Sequence, residues 1–195
     1  MKRKAQKGMV HMDKGAESKG KEALKGRVHI YWGDGKGKTT AALGLALRAA
    51  GRGKQVVIAR FLKTEDSGEV FLLRQVPGIR LLPCAKSFGF TFQMDEKIRQ
   101  EAALFYGGLF SQAVREAKGA DLLILDEILP ACQGSFVGKE KLEDFLAFRD
   151  PALEVVLTGR KPWEELILMA DYITQMNMIR HPYQQGILAR EGIEY

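Results

Sequence analysis

The sequence predicts an α/β fold with a mostly parallel sheet and helices on both faces, and two patterns support this. Short apolar runs alternate with helical stretches along the body of the chain. One of those runs, Leu122-Leu123-Ile124-Leu125, is continuously apolar, as a strand covered on both faces must be. The length of 195 residues fits one domain with a full hydrophobic core. Hydrophobic residues at 46% and charged residues at 28% exclude wholesale disorder and a fibrous repeat.

Taken in order, residues 1–27 form a polar leader, expected to be a basic arm, and residues 28–195 a single domain. The run Val28-His29-Ile30-Tyr31-Trp32 predicts a short buried strand, broken by Gly33 to Gly37. A helix is expected from Lys38 to about Ala50, because Ala41, Ala42, Gly44 and Ala46 are small enough to pack close to a sheet, and Gly51 and Gly53 end it. A strand over Val56 to Phe61, a helix over Glu69 to Val76 and a strand over Ile79 to Leu82 follow, with a loop over 83–94. A long helix from about Asp95 to Lys118 closes at Gly119 and feeds the apolar strand at Leu122. Beyond it, Glu140 to Phe148 is helical, Glu154 to Thr158 a strand and Trp163 to Met169 a helix.

Charge and composition narrow the function. The whole net charge of +6 sits in residues 1–27, where nine Lys/Arg face three Asp/Glu, so the body is balanced. A nucleic-acid-binding body is therefore not expected. No apolar run reaches the roughly 18–20 residues of a bilayer span, and the leader lacks the roughly 7–15-residue apolar stretch of a signal peptide. No membrane association and a cytoplasmic location are the expectation. Cys84 and Cys132 lie far apart without metal-ligand spacing and are expected to be reduced and packed among apolar neighbours.

The strongest chemical signal is Gly33-Asp34-Gly35-Lys36-Gly37-Lys38-Thr39-Thr40, lying between a strand and a helix. Glycines let successive amide N–H groups turn inward, and the helix opening near Lys38 adds its positive dipole end, so the segment suits phosphate. Lys38 supplies a mobile cation, and the Thr39 hydroxyl can ligate Mg²⁺. Gly33, Asp34, Gly35, Lys36, Gly37, Lys38, Thr39 and Thr40 are thus the candidate nucleotide-binding residues. The usual G-x-x-x-x-G-K-[ST] spacing would need glycine where Trp32 stands, so the loop is one residue short. Asp126-Glu127, at the carboxyl end of the apolar strand, resembles the acidic element that holds Mg²⁺ or its waters beside such a loop. Thr39, Asp126 and Glu127 are the candidate metal residues, with the order of the two carboxylates about the ion left open. These features place the chain among P-loop NTPase-like, RecA-like three-layer folds.

Together these residues resemble the ATP:co(I)rrinoid adenosyltransferase family over roughly residues 28–195. Besides the short loop, the resemblance rests on Ala41-Ala42-Leu43-Gly44 with Arg48, Phe61-Leu62-Lys63, Gly68-Glu69, Gly89-Phe90-Thr91, Leu125-Asp126-Glu127 and Thr158-Gly159-Arg160. Ala170-Asp171, His181-Pro182 and the ending Gly192-Ile193-Glu194-Tyr195 complete it. It implies transfer of the 5′-deoxyadenosyl group of ATP to the Co(I) of a reduced corrinoid, cob(I)alamin or cob(I)yrinic acid a,c-diamide, with triphosphate released. Such a reaction needs no proton transfer at the reacting centre, and no nucleophile–base constellation is apparent.

Lys38 and Lys36, with Thr39 through Mg²⁺, suit the charge that develops on the departing triphosphate; Arg160, after a strand end, is a second candidate phosphate contact, and by the same resemblance Arg48 supports the nucleotide-proximal loop or the ribose. Phe90 and Phe92, with Phe88 in the same loop, form an apolar wall that closes on the corrin and removes its lower axial ligand. The resemblance further implies a homodimer and a flavodoxin-like reductant. Three positions depart from the family's pattern: Asp34 stands where Asn is common, Phe92 where Trp is frequent and Gln175 where Glu is usual. His181 before Pro182 is expected to be a turn histidine. Two other readings share the loop: a P-loop kinase or ATPase acting on the γ-phosphate, and a non-catalytic corrinoid- or nucleotide-binding module.

Overall fold

The computed structural model describes residues 25–89 and 94–195. The described residues build one six-stranded sheet from β1 (Val28–Trp32), β2 (Val56–Arg60), β3 (Ile79–Leu81), β4 (Leu122–Asp126), β5 (Glu154–Gly159) and β6 (Tyr172–Gln175). Its order is β3-β2-β4-β5-β1-β6, and every pairing is parallel. The helices are α1 (Lys38–Ala50), α2 (Gly68–Leu73), α3 (Glu96–Glu116), α4 (Ile128–Gln133), α5 (Lys139–Phe148) and α6 (Glu164–Met169).

Two cores make the three layers. On one face Ala42, Leu43 and Ala46 of α1 pack on Val56, Ile58, Ile124 and Val156. Ala42 and Ala46 lie against the sheet as expected, whereas Ala41 and Gly44, expected there too, are exposed. On the other face Tyr106, Leu109 and Phe110 of α3, with Leu142 and Leu146 of α5, pack on Val57, Leu123, Leu125 and Val155. All five residues of β2 and of β4 are buried, which is why β4 carries no polar alternation. Each fully buried aliphatic side chain there contributes about 1.5–3 kcal/mol. Asp95 opens α3 by accepting from the Ile98 amide at 2.8 Å, a cap worth about 1 kcal/mol.

Two elements lie outside the sequence expectation. Strand β6 has four exposed residues and no apolar run, so nothing in its pattern marks it. It forms because β1 offers an open parallel edge, with Trp32 in register with Gln175. Helix α4 contains Pro130, which disfavours helix in general but is tolerated in a first turn, where its missing N–H has no intrahelical partner. Both cysteines are free and buried, and burial pushes the Cys132 thiol up to about 12. Among the described residues no helix is long and apolar enough to cross a membrane.

Candidate nucleotide site

In a parallel sheet all carboxyl ends point one way, so the segments after β1, β2, β4, β5 and β6 meet along one edge. Strand β5 stands between β1 and β4, and this spacing sets the phosphate loop one strand away from the acidic pair. Because β1 runs through Trp32, only Gly33 to Gly37 remain to reach α1. The loop is held from both sides. The Gly33 amide donates to Arg160 O at 2.8 Å and Gly159 O at 3.2 Å, and the Gly35 amide donates to Met176 O at 2.8 Å. A Cβ on Gly33 would lie 2.2 Å from Met176 O, and one on Gly35 would lie 2.8 Å from it. Glycine at these two positions is thus imposed by the chain leaving β6. That chain also receives the Asp34 side chain, whose Oδ1 accepts from the Met178 amide at 3.0 Å. This bond lowers the Asp34 carboxyl below its usual range, keeping it ionised.

The first turn of α1 has no side-chain cap and no acidic residue. Its amides and the dipole end are free to serve an anion at the loop. Lys38 Nζ donates to Gly35 O at 2.7 Å, so the lysine already lies along the loop rather than out in solvent. Lys36, Gly37, Lys38, Thr39 and Thr40 border a cavity of about 940 Å³. Leu43, Leu47, Leu62 and Leu72 supply its apolar wall.

Behind the loop is a buried polar knot. Asp126 is fully buried and accepts from the Thr158 hydroxyl at 2.6 Å and the Thr39 hydroxyl at 3.0 Å. Thr158 in turn accepts from the Glu127 amide at 2.8 Å. Lys63, just after β2, places Nζ 2.7 Å from both Thr39 Oγ1 and Asp126 Oδ2. Glu127 adopts φ 60°, ψ 28° and borders the cavity. Burial first, then the neighbouring Asp126, raises its carboxyl above the ordinary glutamate range. The donors here are hydroxyl and carboxylate oxygens, the hard ligands that Mg²⁺ takes. The ammonium seated between Thr39 and Asp126 shows that this spot attracts a cation. Among the described residues no three His, Cys, Asp or Glu side chains converge. A metal here would take its remaining ligands from substrate phosphates and water, as Mg²⁺ commonly does.

The chain's last residues come back to the same cavity. Glu194 Oε1 pairs with Lys36 at 2.8 Å, and Gly192, Ile193 and Tyr195 also border it. Arg190 first, then Lys36, holds the Glu194 carboxyl far below its usual range.

Of the residues singled out from the sequence, Lys36 through Thr40 and Glu127 border the cavity and Asp126 lies behind them, bonded to Thr39, whereas Gly33 and Gly35 are held against the chain after β5 and β6 and the Asp34 side chain turns to the Met178 amide. Arg160 is exposed, but its carbonyl closes the loop, and its charge favours the ionised forms of Asp34 and Glu127. Arg48 is exposed on α1 near Tyr31 and is not among the residues bordering the cavity. Phe88 is half-buried, its ring 5.7 Å from those of Phe105 and Tyr106, so it packs on the core. Phe90 and Phe92 lie outside the described residues. His181 is the expected turn residue, its Nδ1 accepting from the Tyr183 amide. Lys63, Thr158 and Glu194 take part in the site although the sequence reading gave them no role. The signal that could have found them was position: each follows or ends an element on the carboxyl edge, or sits in the terminal motif.

A family model described as ATP:corrinoid adenosyltransferase BtuR/CobO/CobP matches residues 24–195. A corrinoid adenosyltransferase from Sinorhizobium sp is 30% identical over 173 residues, covering 88% of this chain and 81% of that protein. One from Escherichia coli strain K12 is 30% identical over 172 residues, covering 88% of this chain and 86% of that protein. Among solved structures, EssC (ATPases 2 and 3) from Geobacillus thermodenitrificans aligns with TM-score 0.45 and 15% identity, over 86% of this chain and 35% of that one. With the family model spanning the whole body and Lys36 to Thr40 of the loop, Glu127 and the terminal segment gathered at one cavity, the chain belongs to the ATP:corrinoid adenosyltransferase family.

Proposed function

We propose that the chain transfers the 5′-deoxyadenosyl group of ATP to the Co(I) centre of a reduced corrinoid and releases triphosphate. Besides the family, the observation that carries this reading is the lining of the cavity. Lys36, Lys38 and Lys63 border it, the first and last already paired with Glu194 and Asp126, and Leu43, Leu47, Leu62 and Leu72 give it an aliphatic wall. That arrangement fits a polyphosphate joined to a nucleoside. In the step itself the electron pair of Co(I) forms the bond to C5′, the C5′–O bond breaks, and its pair leaves on the triphosphate oxygen. Lys38 and the amides of Lys36 to Thr39 face that developing charge, while the clamp on Gly33 and Gly35 fixes where it appears.

Thr39 and Glu127 would hold Mg²⁺, with Asp126 behind them. The ion would neutralise triphosphate charge. Asp126 is the inner carboxylate because its oxygens are already engaged by Thr158, Thr39 and Lys63, whereas Glu127 borders the cavity. Arg160 steadies the loop electrostatically. Arg48, on the outer side of α1, acts on the nucleotide only through the helix.

The role proposed for Phe90 and Phe92, from the family resemblance, is to shield the corrin's lower face. Excluding donors there favours four-coordinate cobalt, which is easier to reduce. Phe92→Ala is expected to slow Co(II) to Co(I) reduction by about tenfold or more with ATP affinity within about twofold, on the scale of one lost aromatic contact. Paired spectroscopic and ATP-binding titrations read this, and equal losses in both would point to a folding defect.

The C-terminal third carries a group of exposed apolar side chains, among them Leu168, Ile179 and Leu188. A homodimer, which the family resemblance implies, is proposed as what covers them. A flavodoxin-like protein is the proposed electron donor, and the cytoplasm the proposed location. The test is an anaerobic assay with ATP, Mg²⁺ and chemically reduced corrinoid. A new cobalt–carbon visible spectrum with stoichiometric triphosphate is expected. ADP and phosphate formed without corrinoid would overturn the reading in favour of an ATPase.

A further inference from the structure

The Lys63 ammonium, 2.7 Å from both Thr39 Oγ1 and Asp126 Oδ2, lies between the hydroxyl and the inner carboxylate of the metal position. Asp126 is fully buried, and its other partners, Thr158 and Thr39, are neutral hydroxyls. An ionised carboxylate in that setting needs a cation, and among the described residues Lys63 is the one that pairs with it.

Its backbone is fixed for the task. Leu62 before it takes φ 55°, a conformation a branched residue adopts only under constraint. The Phe61 amide donates to Asp126 O at 2.8 Å, and Cys84 Sγ donates to Lys63 O at 3.3 Å. At the end of β2, the fully buried Arg60 donates to Thr64 O at 2.8 Å and pins the segment's far side. Only the four-carbon stem of Lys63 is left to move, and its residue borders the cavity.

We propose that Lys63 is a resident counter-cation that competes with the divalent metal for the Thr39 hydroxyl and for the charge of Asp126 behind it. Metal then enters tightly only together with the polyphosphate, toward which the released ammonium turns. A divalent ion brought beside a bound ammonium in a partly buried site meets strong repulsion. The polyphosphate removes it by offering several negative charges to both cations at once. Lys63 is therefore a positioning residue that keeps a bare ion out and couples metal entry to nucleotide entry. This rests on the reading that Thr39 and the Asp126–Glu127 pair hold the metal of the ATP complex.

The experiment titrates the full chain with Mn²⁺, following free ion by electron paramagnetic resonance, alongside thermal unfolding. Wild type is expected to bind Mn²⁺ weakly alone but to take up Mn²⁺–ATP. Lys63→Met should bind Mn²⁺ alone about tenfold or more tightly than wild type, since the competing charge is gone. Its unfolding midpoint should rise with Mn²⁺ by more than that of wild type. Lys63→Arg keeps the charge and should exclude the bare ion as wild type does, and Thr39→Ala added to Lys63→Met should abolish the gained site.

A folded Lys63→Met with wild-type or weaker Mn²⁺ affinity overturns the proposal, and so does an unfolded variant that Mn²⁺ fails to rescue. Rescue of an unfolded variant by Mn²⁺ supports it. Failure of wild type to take up Mn²⁺–ATP would instead overturn the underlying metal reading, a separate outcome from either Lys63→Met result.

Discussion

Lys38→Ala is expected to lower kcat/KM for corrinoid adenosylation by about 10²- to 10³-fold, the range found when one preorganised charge-stabilising donor is removed. The leaving triphosphate gains negative charge as the C5′–O bond breaks, and Lys38 lies along the loop, bonded to Gly35 O at 2.7 Å. An ammonium held there needs little reorganisation to follow the charge. Much of the loss should therefore fall on kcat. Rate measurements at saturating ATP, read from the cobalt–carbon spectrum under anaerobic conditions, separate the terms. An unchanged kcat with a raised KM for ATP would reduce Lys38 to a binding contact. Lys38→Arg should recover little, because a longer planar fork does not fit a loop held on both sides by the chain after β6 and β5.

What could be read from the sequence was local. The phosphate loop is eight consecutive residues whose glycines and lysines announce their own chemistry, and β4 is a run whose unbroken apolarity suits a strand with helices on both sides. The contacts that complete the site join residues far apart in the chain. Lys63 meets Asp126, Thr158 meets the same carboxylate, and Glu194 returns to Lys36 across 158 positions. Such pairings depend on strand order, and the order β4-β5-β1-β6 is a tertiary outcome that no local pattern encodes. Strand β6 is the sharpest case. Exposed on all four residues, it has no burial pattern of its own, yet the chain leaving it explains why Gly33 and Gly35 cannot carry side chains.

That clamp makes Gly33→Ala the other substitution with a large expected effect. Two costs add. Gly33 has φ 122°, where an L side chain is strained by about 1–3 kcal/mol. Its new Cβ would also meet Met176 O at 2.2 Å, an overpacking cost of about 1–3 kcal/mol. Met176 cannot easily yield, because its amide donates to Trp32 O at 2.7 Å and its carbonyl accepts from Gly35.

The sum is about 2–6 kcal/mol, a fall of about 4–24 °C in the thermal midpoint for a chain of this size. ATP binding measured on the folded fraction should fall with it, since the loop amides lose their aim. Gly53→Ala is the control: φ there is 76°, and a Cβ meets nothing within 4 Å, so it reads the backbone cost alone at about 1–2 kcal/mol. The excess of Gly33→Ala over Gly53→Ala measures how firmly the segment after β6 holds the loop. Equal midpoints for the two variants would mean that Met176 moves aside freely, and then the position of the departing triphosphate would have to be set by Lys38 and the first turn of α1 without the clamp.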